Sequence, residues 1–202
     1  MWGDECFHPH HKITREQSIK YRAECFDYLN KKGLIMSSEE PGAQLINSIC
    51  LVHHGPHALR PQVNGQATGI PIPLLSLVYH DCLVIPWDWW NNWGIPKGES
   101  GELYCAMHAG MPYIHCYGEK DFKVGSDARS ADVDLIEDGA LKKEIARVER
   151  LCALQTKLCD KEMVRHEFVD GSRVQRTYYS DGTVVTVDFG ANTWKEDTGG
   201  KQ

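Results

Sequence analysis

Residues 163–189 read MVRHEFVDGSRVQRTYYSDGTVVTVDF, and this stretch decides the class of fold. Three runs of alternating character, Met163–Val169, Arg173–Tyr179 and Thr183–Phe189, are separated by Asp170-Gly171 and Asp181-Gly182. Asp-Gly between alternating runs is a strong hairpin signal, because a tight two-residue turn needs positive φ. The stretch therefore predicts an antiparallel meander. Immediately upstream the period is helical: Leu141, Ile145, Val148 and Cys152 recur at +4, +3, +4, predicting a helix from about Gly139 to Leu158. Downstream of Asn192 the chain is polar and is expected to fray.

Working back toward the amino terminus, helices and strands alternate. A helix is predicted over Thr14 to Lys32, with Thr14 and Gln17 as a capping box and Gly33 as the stop. Ile19, Ala23, Phe26 and Leu29 give its apolar stripe. Leu34 to Ser38 reads as a short buried strand with Glu39 and Glu40 at its carboxyl end. Pro41 to Gly69 is irregular. Leu77 to Val84, inside the most apolar stretch of the chain, reads as a buried strand carrying the polar pair His80-Asp81. Trp87 to Trp93 follows as a loop, Glu102 to Gly110 as a short helix, and Tyr113 to Cys116 as a strand. Alternation followed by antiparallel strands predicts the end of a parallel α/β domain and the beginning of a β-domain.

Composition bounds the function. The 202 residues are 42% hydrophobic and 25% charged, an ordinary globular balance with enough chain for a sizeable core. Twenty-two basic against 28 acidic residues, with no Lys/Arg cluster longer than two, argue against a nucleic-acid or anionic-membrane surface. No apolar run reaches the roughly 18 residues of a membrane-spanning helix. Most of the eight cysteines read as reduced core residues, since their spacings match neither a zinc ribbon nor a redox pair. Gly-x-Ser-x-Gly, phosphate loops and kinase signatures are absent, and no cofactor is implied.

Four groups of residues are able to carry chemistry. Glu39 and Glu40 stand where parallel α/β folds place catalytic residues, and a carboxyl group beside another carboxylate holds its proton to higher pH, as a general acid must. The plain alternative is a solvated acidic turn. Tyr79-His80-Asp81 lies in an apolar run, where a charge needs a partner or a role. On a strand, neighbouring residues face opposite ways, so His80 and Asp81 share a site only if the strand ends between them. Trp87, Trp89 and Trp90, with Asp88, Asn91 and Asn92 among them, offer flat faces and polar groups suited to a sugar ring, or a plug over a barrel end. His8, His10 and His11 around Pro9 have a spacing that divalent metal sites also use.

Several of these segments together resemble a known family. Gly33 to Glu40 looks like its strand ending in Ser-Glu. Ile72 to Cys82 looks like its apolar segment ending Leu-Val-Tyr-His-Asp, the most specific of the matches. Cys6 to Arg15 resembles its lead into a helix, and Thr177 to Asn192 its carboxyl-terminal hairpin. The family is the glycoside hydrolases related to endo-α-N-acetylgalactosaminidases. The resemblance implies a (β/α)8 barrel of the TIM type followed by β-sandwich material, and retaining hydrolysis by two carboxylates. It divides the chain into the carboxyl-terminal part of the barrel (1–160), hairpins opening the β-domain (161–192) and a tail (193–202). It makes Glu39 the acid/base, with Glu40 as fallback, and Tyr79, His80, Asp81, Trp87, Trp89 and Trp90 the contacts to a carbohydrate substrate. The family's nucleophile is an Asp on the preceding strand, and Asp4 is a poor positional match for it. Pro41-Gly42 after Glu40 also departs from the family's glycines and aromatic. The expectation is therefore an incomplete retaining glycosidase, a carboxyl-terminal fragment. The rival readings are a metal-dependent hydrolase using His8, His10, His80 and Asp81, and a non-catalytic carbohydrate-binding piece using the tryptophan loop. Oligomeric state and compartment stay open.

Overall fold

The computed structural model describes residues 4–38, 42–52, 62–63, 66–67, 72–87, 99–112 and 140–198. The first helix, α1 (Arg15–Lys31), starts as its sequence requires. The Gln17 amide donates to Thr14 Oγ1 at 3.2 Å and the Thr14 amide donates to Gln17 Oε1 at 2.9 Å. Gly33, at φ +79°, ends it in the left-handed region that glycine enters without a Cβ clash. Phe26 packs against the core, yet no residue of α1 is fully buried.

After α1 comes a set of short parallel strands. β1 (Ser37–Ser38) pairs with β2 (Leu51–Val52), Ser38 opposite Val52. A 3-10 turn, Ala43–Ser48, joins them and buries Leu45 and Ile46. A two-residue antiparallel pair follows, β3 (Gln62–Val63) with β4 (Gln66–Ala67). Leu51 bridges in parallel to Val84. Val84 leads into β5 (Pro86–Trp87), which pairs in parallel with β6 (Met111–Pro112). The ladder closes through backbone bonds from Cys50 N to Met36 O, Val52 N to Val84 O and Met111 N to Ile85 O, at 2.8–3.0 Å. Four segments, 36–38, 50–52, 84–87 and 111–112, thus lie side by side in chain order and run the same way.

Two helices join the later segments. The buried strand expected over Leu77–Val84 is instead helix α2 (Leu74–Tyr79), and of that span only Val84 joins the ladder. A continuous apolar run reads alike as strand or buried helix, and Pro73 at the N-cap tips it to helix, where a missing N–H costs nothing. Ser76 and His80, four residues apart, are buried on one side, while Leu74 and Val78 are exposed on the other. Helix α3 (Glu99–His108) begins three residues before the expected Glu102. It ends with Ala109 at φ +45°, where the Gly110 amide donates back to Cys105 O. The strand expected at Tyr113–Cys116 lies outside the described residues.

Helix α4 (Ala140–Leu158) has the expected extent but a different inner face. Leu151, Leu154 and Leu158 are buried, whereas Ile145 is 41% exposed and Cys152 is exposed. The meander is as expected: β7 (Met163–Asp170), β8 (Val174–Tyr179) and β9 (Thr183–Asp188) pair antiparallel. The tail expected to fray from 193 is corrected. β10 (Thr193–Thr198) pairs with β9 along its whole length, giving the sheet order β10-β9-β8-β7. Its turn is built by Asp188 Oδ1, which accepts from the Gly190 and Ala191 amides at 2.8 Å, and by Asn192 at φ +53°.

The inner face of this sheet carries Gln175, Thr177, Tyr179, Thr183, Val185 and Val187, all buried. They pack on α3, so one apolar cluster joins Val52 and Ile85 of the parallel strands, Leu103 and Met107 of α3, Leu154 and Leu158 of α4, and Val185 and Val187 of the sheet. Packing therefore continues across residue 160. The outer face carries Arg165, Glu167, Arg176 and Tyr178, a polar surface that water solvates well. The seven described cysteines are free, and Cys105 alone among them is buried, so the expectation that most cysteines lie in the core is corrected, Cys25, Cys50, Cys82 and Cys152 being exposed. Among the described residues no helix is long and apolar enough to cross a membrane.

Candidate active site

Parallel strands give a layer two chemically distinct ends. Ser38, Val52, Trp87 and Pro112 are the last paired residues at the carboxyl ends of the four segments, all on one side. The residues that follow them in sequence are Glu39-Glu40, His53-His54, Asp88-Trp89-Trp90 and Tyr113. Chemistry in such folds gathers at this end, because the strand fixes a residue while the next loop admits substrate. Glu39, Glu40, Trp89 and Trp90 lie outside the described residues, and of Trp87 only the backbone pairing is described. Ser38, the residue before Glu39, is 8% exposed.

The Tyr79-His80-Asp81 segment sits elsewhere. It spans the end of α2 and precedes Val84, so it enters the ladder from the amino side. His80 is 5% exposed, its Nδ1 lies 2.7 Å from the Lys161 carbonyl, and its ring meets Tyr179 edge-on at 5.1 Å. Since a carbonyl only accepts, His80 carries its proton on Nδ1. Burial lowers its pKa. Asp81 is exposed and accepts from the Cys82 thiol at 3.4 Å. Tyr79 is half-buried against the core. The two residues that the sequence pairs thus diverge, one into the core and one into solvent.

A further buried polar pair has no counterpart in the sequence reading. Ser76 Oγ lies 2.7 Å from His108 Nδ1, joining α2 to the end of α3. Serine beside histidine is the arrangement of an activated nucleophile, but both residues are buried and burial pushes the His108 pKa down to about 3. A ring so hard to protonate is a weak base, and no substrate reaches a serine in mid-helix under the sheet. The hint in the sequence is polar residues at 76 and 80 on one helix face. Beside this pair, His80, Ile85, His108, Gly110, Gln155 and Cys159 line a cavity of about 10 Å³, room for one water and far too small for a sugar.

At the amino terminus, His8, His10 and His11 are exposed. The His8 and His11 rings stack at 4.2 Å, and Cys6 Sγ lies 3.2 Å from His11 Nδ1. Among the described residues no three His, Cys, Asp or Glu side chains come together as metal ligands would.

No family model and no curated protein matches the chain. Solved structures do, and they define a class: the neighbours are glycosidases. The neighbours to which this chain is similar are structures of α-N-acetylgalactosaminidase NagBb from Bifidobacterium bifidum. Its complex with GalNAc aligns at 35% identity and TM-score 0.76, over 99% of this chain and 30% of that one. Its complex with Gal-NHAc-DNJ aligns at 34% identity and TM-score 0.77, with the same coverage. The ligand-free form aligns at 32% identity and TM-score 0.74, over 96% of this chain and 29% of that one. The glycosidase resemblance seen in the sequence is thereby shown, for a chain spanning about 30% of the length of the structures it matches.

Proposed function

We propose that these residues form part of a (β/α)8 glycosidase barrel acting on α-linked N-acetylgalactosamine by a retaining mechanism, with Glu39 as acid/base. The observation that carries the reading is the ladder itself: four parallel segments in unbroken chain order, with α2 and α3 between the later ones and α4 after the last. That is how a closed barrel is laid down, whereas a doubly wound sheet reverses its order. Its first segment leads straight into Glu39. The 35% identity to NagBb over nearly the whole chain points the same way.

In this reading Glu39 protonates the glycosidic oxygen as the bond to the anomeric carbon breaks, then deprotonates the incoming water, with Glu40 as the alternative. A retaining enzyme needs a second carboxylate about 5–5.5 Å away. Asp4 is a poor candidate, since it is exposed and faces Arg22 at 3.5 Å. Trp87, the last residue of β5, and Trp89 and Trp90, which follow it in sequence, stack the sugar. Tyr79, His80 and Asp81 gain no support as sugar contacts, because they lie at the amino side of the ladder, and we assign His80 to holding the fold. Oligomeric state enters no step.

The test is hydrolysis of an aryl α-N-acetylgalactosaminide by the 202-residue chain, alone and joined to further strand–helix units. Activity with retained anomeric configuration that disappears in Glu39→Gln supports the proposal. Hydrolysis unaffected by Glu39→Gln and by Glu40→Gln refutes it. Sugar binding by both variants without hydrolysis in any form favours a carbohydrate-binding piece.

A further inference from the structure

The hairpin before α1 carries a motif that the glycosidase reading leaves unused, Cys6-Phe7-His8-Pro9-His10-His11. Cys6 and Ile13 close it, each amide donating to the other's carbonyl at 3.0 Å. Inside the loop the His11 amide donates to the His8 carbonyl at 3.2 Å, and the His10 amide donates to His8 Nδ1 at 3.3 Å. His8 Nδ1 is thereby an acceptor, so the neutral ring carries its proton on Nε2. That ring lies flat against the ring of His11, with centroids 4.2 Å apart and planes 8° from parallel. His11 in turn presents Nδ1 to Cys6 Sγ, 3.2 Å away. A nucleophile within reach of a base, and a base oriented by a third group, is the arrangement that activates a thiol. We propose that Cys6 is a site of covalent modification, its thiol activated by His11 for exchange with small disulfides.

The chemistry balances with the disulfide as the only co-reactant. As Cys6 Sγ attacks one sulfur of the disulfide, its proton passes to His11 Nδ1. A new sulfur–sulfur bond forms to the attacked atom and the old one breaks, the second sulfur leaving with the bonding electrons. That leaving thiolate takes up the proton from His11. A protein thiol and a small disulfide become a mixed disulfide and a small thiol, and the imidazole is returned neutral.

The other free cysteines sharpen the inference. Cys25, Cys50, Cys82, Cys152 and Cys159 are all exposed, whereas Cys6 is half-buried, so access alone would rank Cys6 behind them. Cys82 has the opposite kind of neighbour. Its thiol donates to the Asp81 carboxylate at 3.4 Å, and that bond raises its pKa and keeps the sulfur protonated. The Cys159 thiol donates to the Thr156 carbonyl at 3.7 Å, an acceptor that cannot carry the proton away. Of the acidic residues just before Cys6, Asp4 faces Arg22 at 3.5 Å and Glu5 is exposed. The thiol of Cys6 therefore has a base where Cys82 has an anion and Cys159 a carbonyl. The site stands apart from the Glu39 reading and survives its failure.

The experiment is brief exposure of the folded 202-residue chain to oxidised glutathione at pH 7, with each cysteine followed by peptide mass mapping. An unassisted thiol is about 3% ionised at that pH, which leaves room for a large gain from a base. The expected result is a mixed disulfide at Cys6 forming about tenfold faster than at the exposed cysteines. His11→Asn brings Cys6 down to their rate and leaves theirs unchanged, and in urea all the cysteines of both chains react alike. A Cys6 no faster than Cys25 or Cys152 in the folded chain overturns the proposal, as does a Cys6 rate that His11→Asn does not alter. If His11→Asn does not fold, the ranking of cysteines in the unaltered chain decides alone.

Discussion

The two ends of the parallel ladder are built from similar residue types, and the proposed function gives them opposite roles. At the amino end, His80 and His108 are buried, neutral and committed to a carbonyl and a serine. At the carboxyl end, the ladder stops at Ser38, Val52, Trp87 and Pro112, and the sequence continues into carboxylates, histidines and indoles. A polar residue in an apolar run therefore does not mark a site by itself. What separates the two ends is strand direction: a residue before the strand is placed to seal the layer, and in the proposed reading a residue after it is placed to meet a ligand.

The largest expected effect tests the carboxyl end. Wherever the chain supports hydrolysis, Glu39→Gln lowers kcat by about 10²–10⁴-fold, the usual contribution of a positioned acid/base, read with an aryl α-N-acetylgalactosaminide. At the other end, Leu158→Ala tests the shared core. Leu158 is fully buried, so urea unfolding should show a loss of about 2–5 kcal/mol in the cooperative transition. Smaller effects come from the two hydroxyls that share one acceptor. Thr177→Val and Tyr179→Phe should each cost about 1 kcal/mol, while the double variant, which strips both donors from the Met107 carbonyl, should cost more than their sum. Simple additivity would show that the carbonyl is satisfied elsewhere. The smallest effect is at Asp81, exposed beside buried His80. Asp81→Asn should change stability by less than about 0.5 kcal/mol and leave kcat/KM untouched, and a large loss in kcat/KM would return it to the sugar site.

Much of the fold is legible in the sequence where local chemistry acts alone. The Thr14/Gln17 box, Gly33 and the two Asp-Gly turns each determine backbone conformation without help from distant residues. Reading fails where tertiary packing arbitrates. Leu74–Val84 has no period that separates helix from buried strand, and only the environment of Ser76 and His80 resolves it. The inner face of α4 is turned from the expected stripe: Leu151, Leu154 and Leu158 pack into the core, while Arg147 and Arg150 reach toward Glu102, at 2.9 and 3.9 Å. The strand after Asn192 was hidden by polar composition. Trp194 anchors it, donating from Nε1 to Glu102 Oε1 at 2.8 Å with Arg150 over its ring. For the site, Glu39 is proposed from its sequence motif, and it lies outside the described residues. The separation of His80 from Asp81 could not be read from sequence, since it depends on which way the chain enters the ladder.

The apolar cluster that runs from Val52 and Ile85 to Val185 and Val187 bears on how such a segment can be inherited or engineered. A recombination point near residue 160 would split a single cooperative body, leaving oily surface on both products. Exchange of this piece between scaffolds is expected to succeed only when the strand–helix portion and the four-stranded sheet travel together.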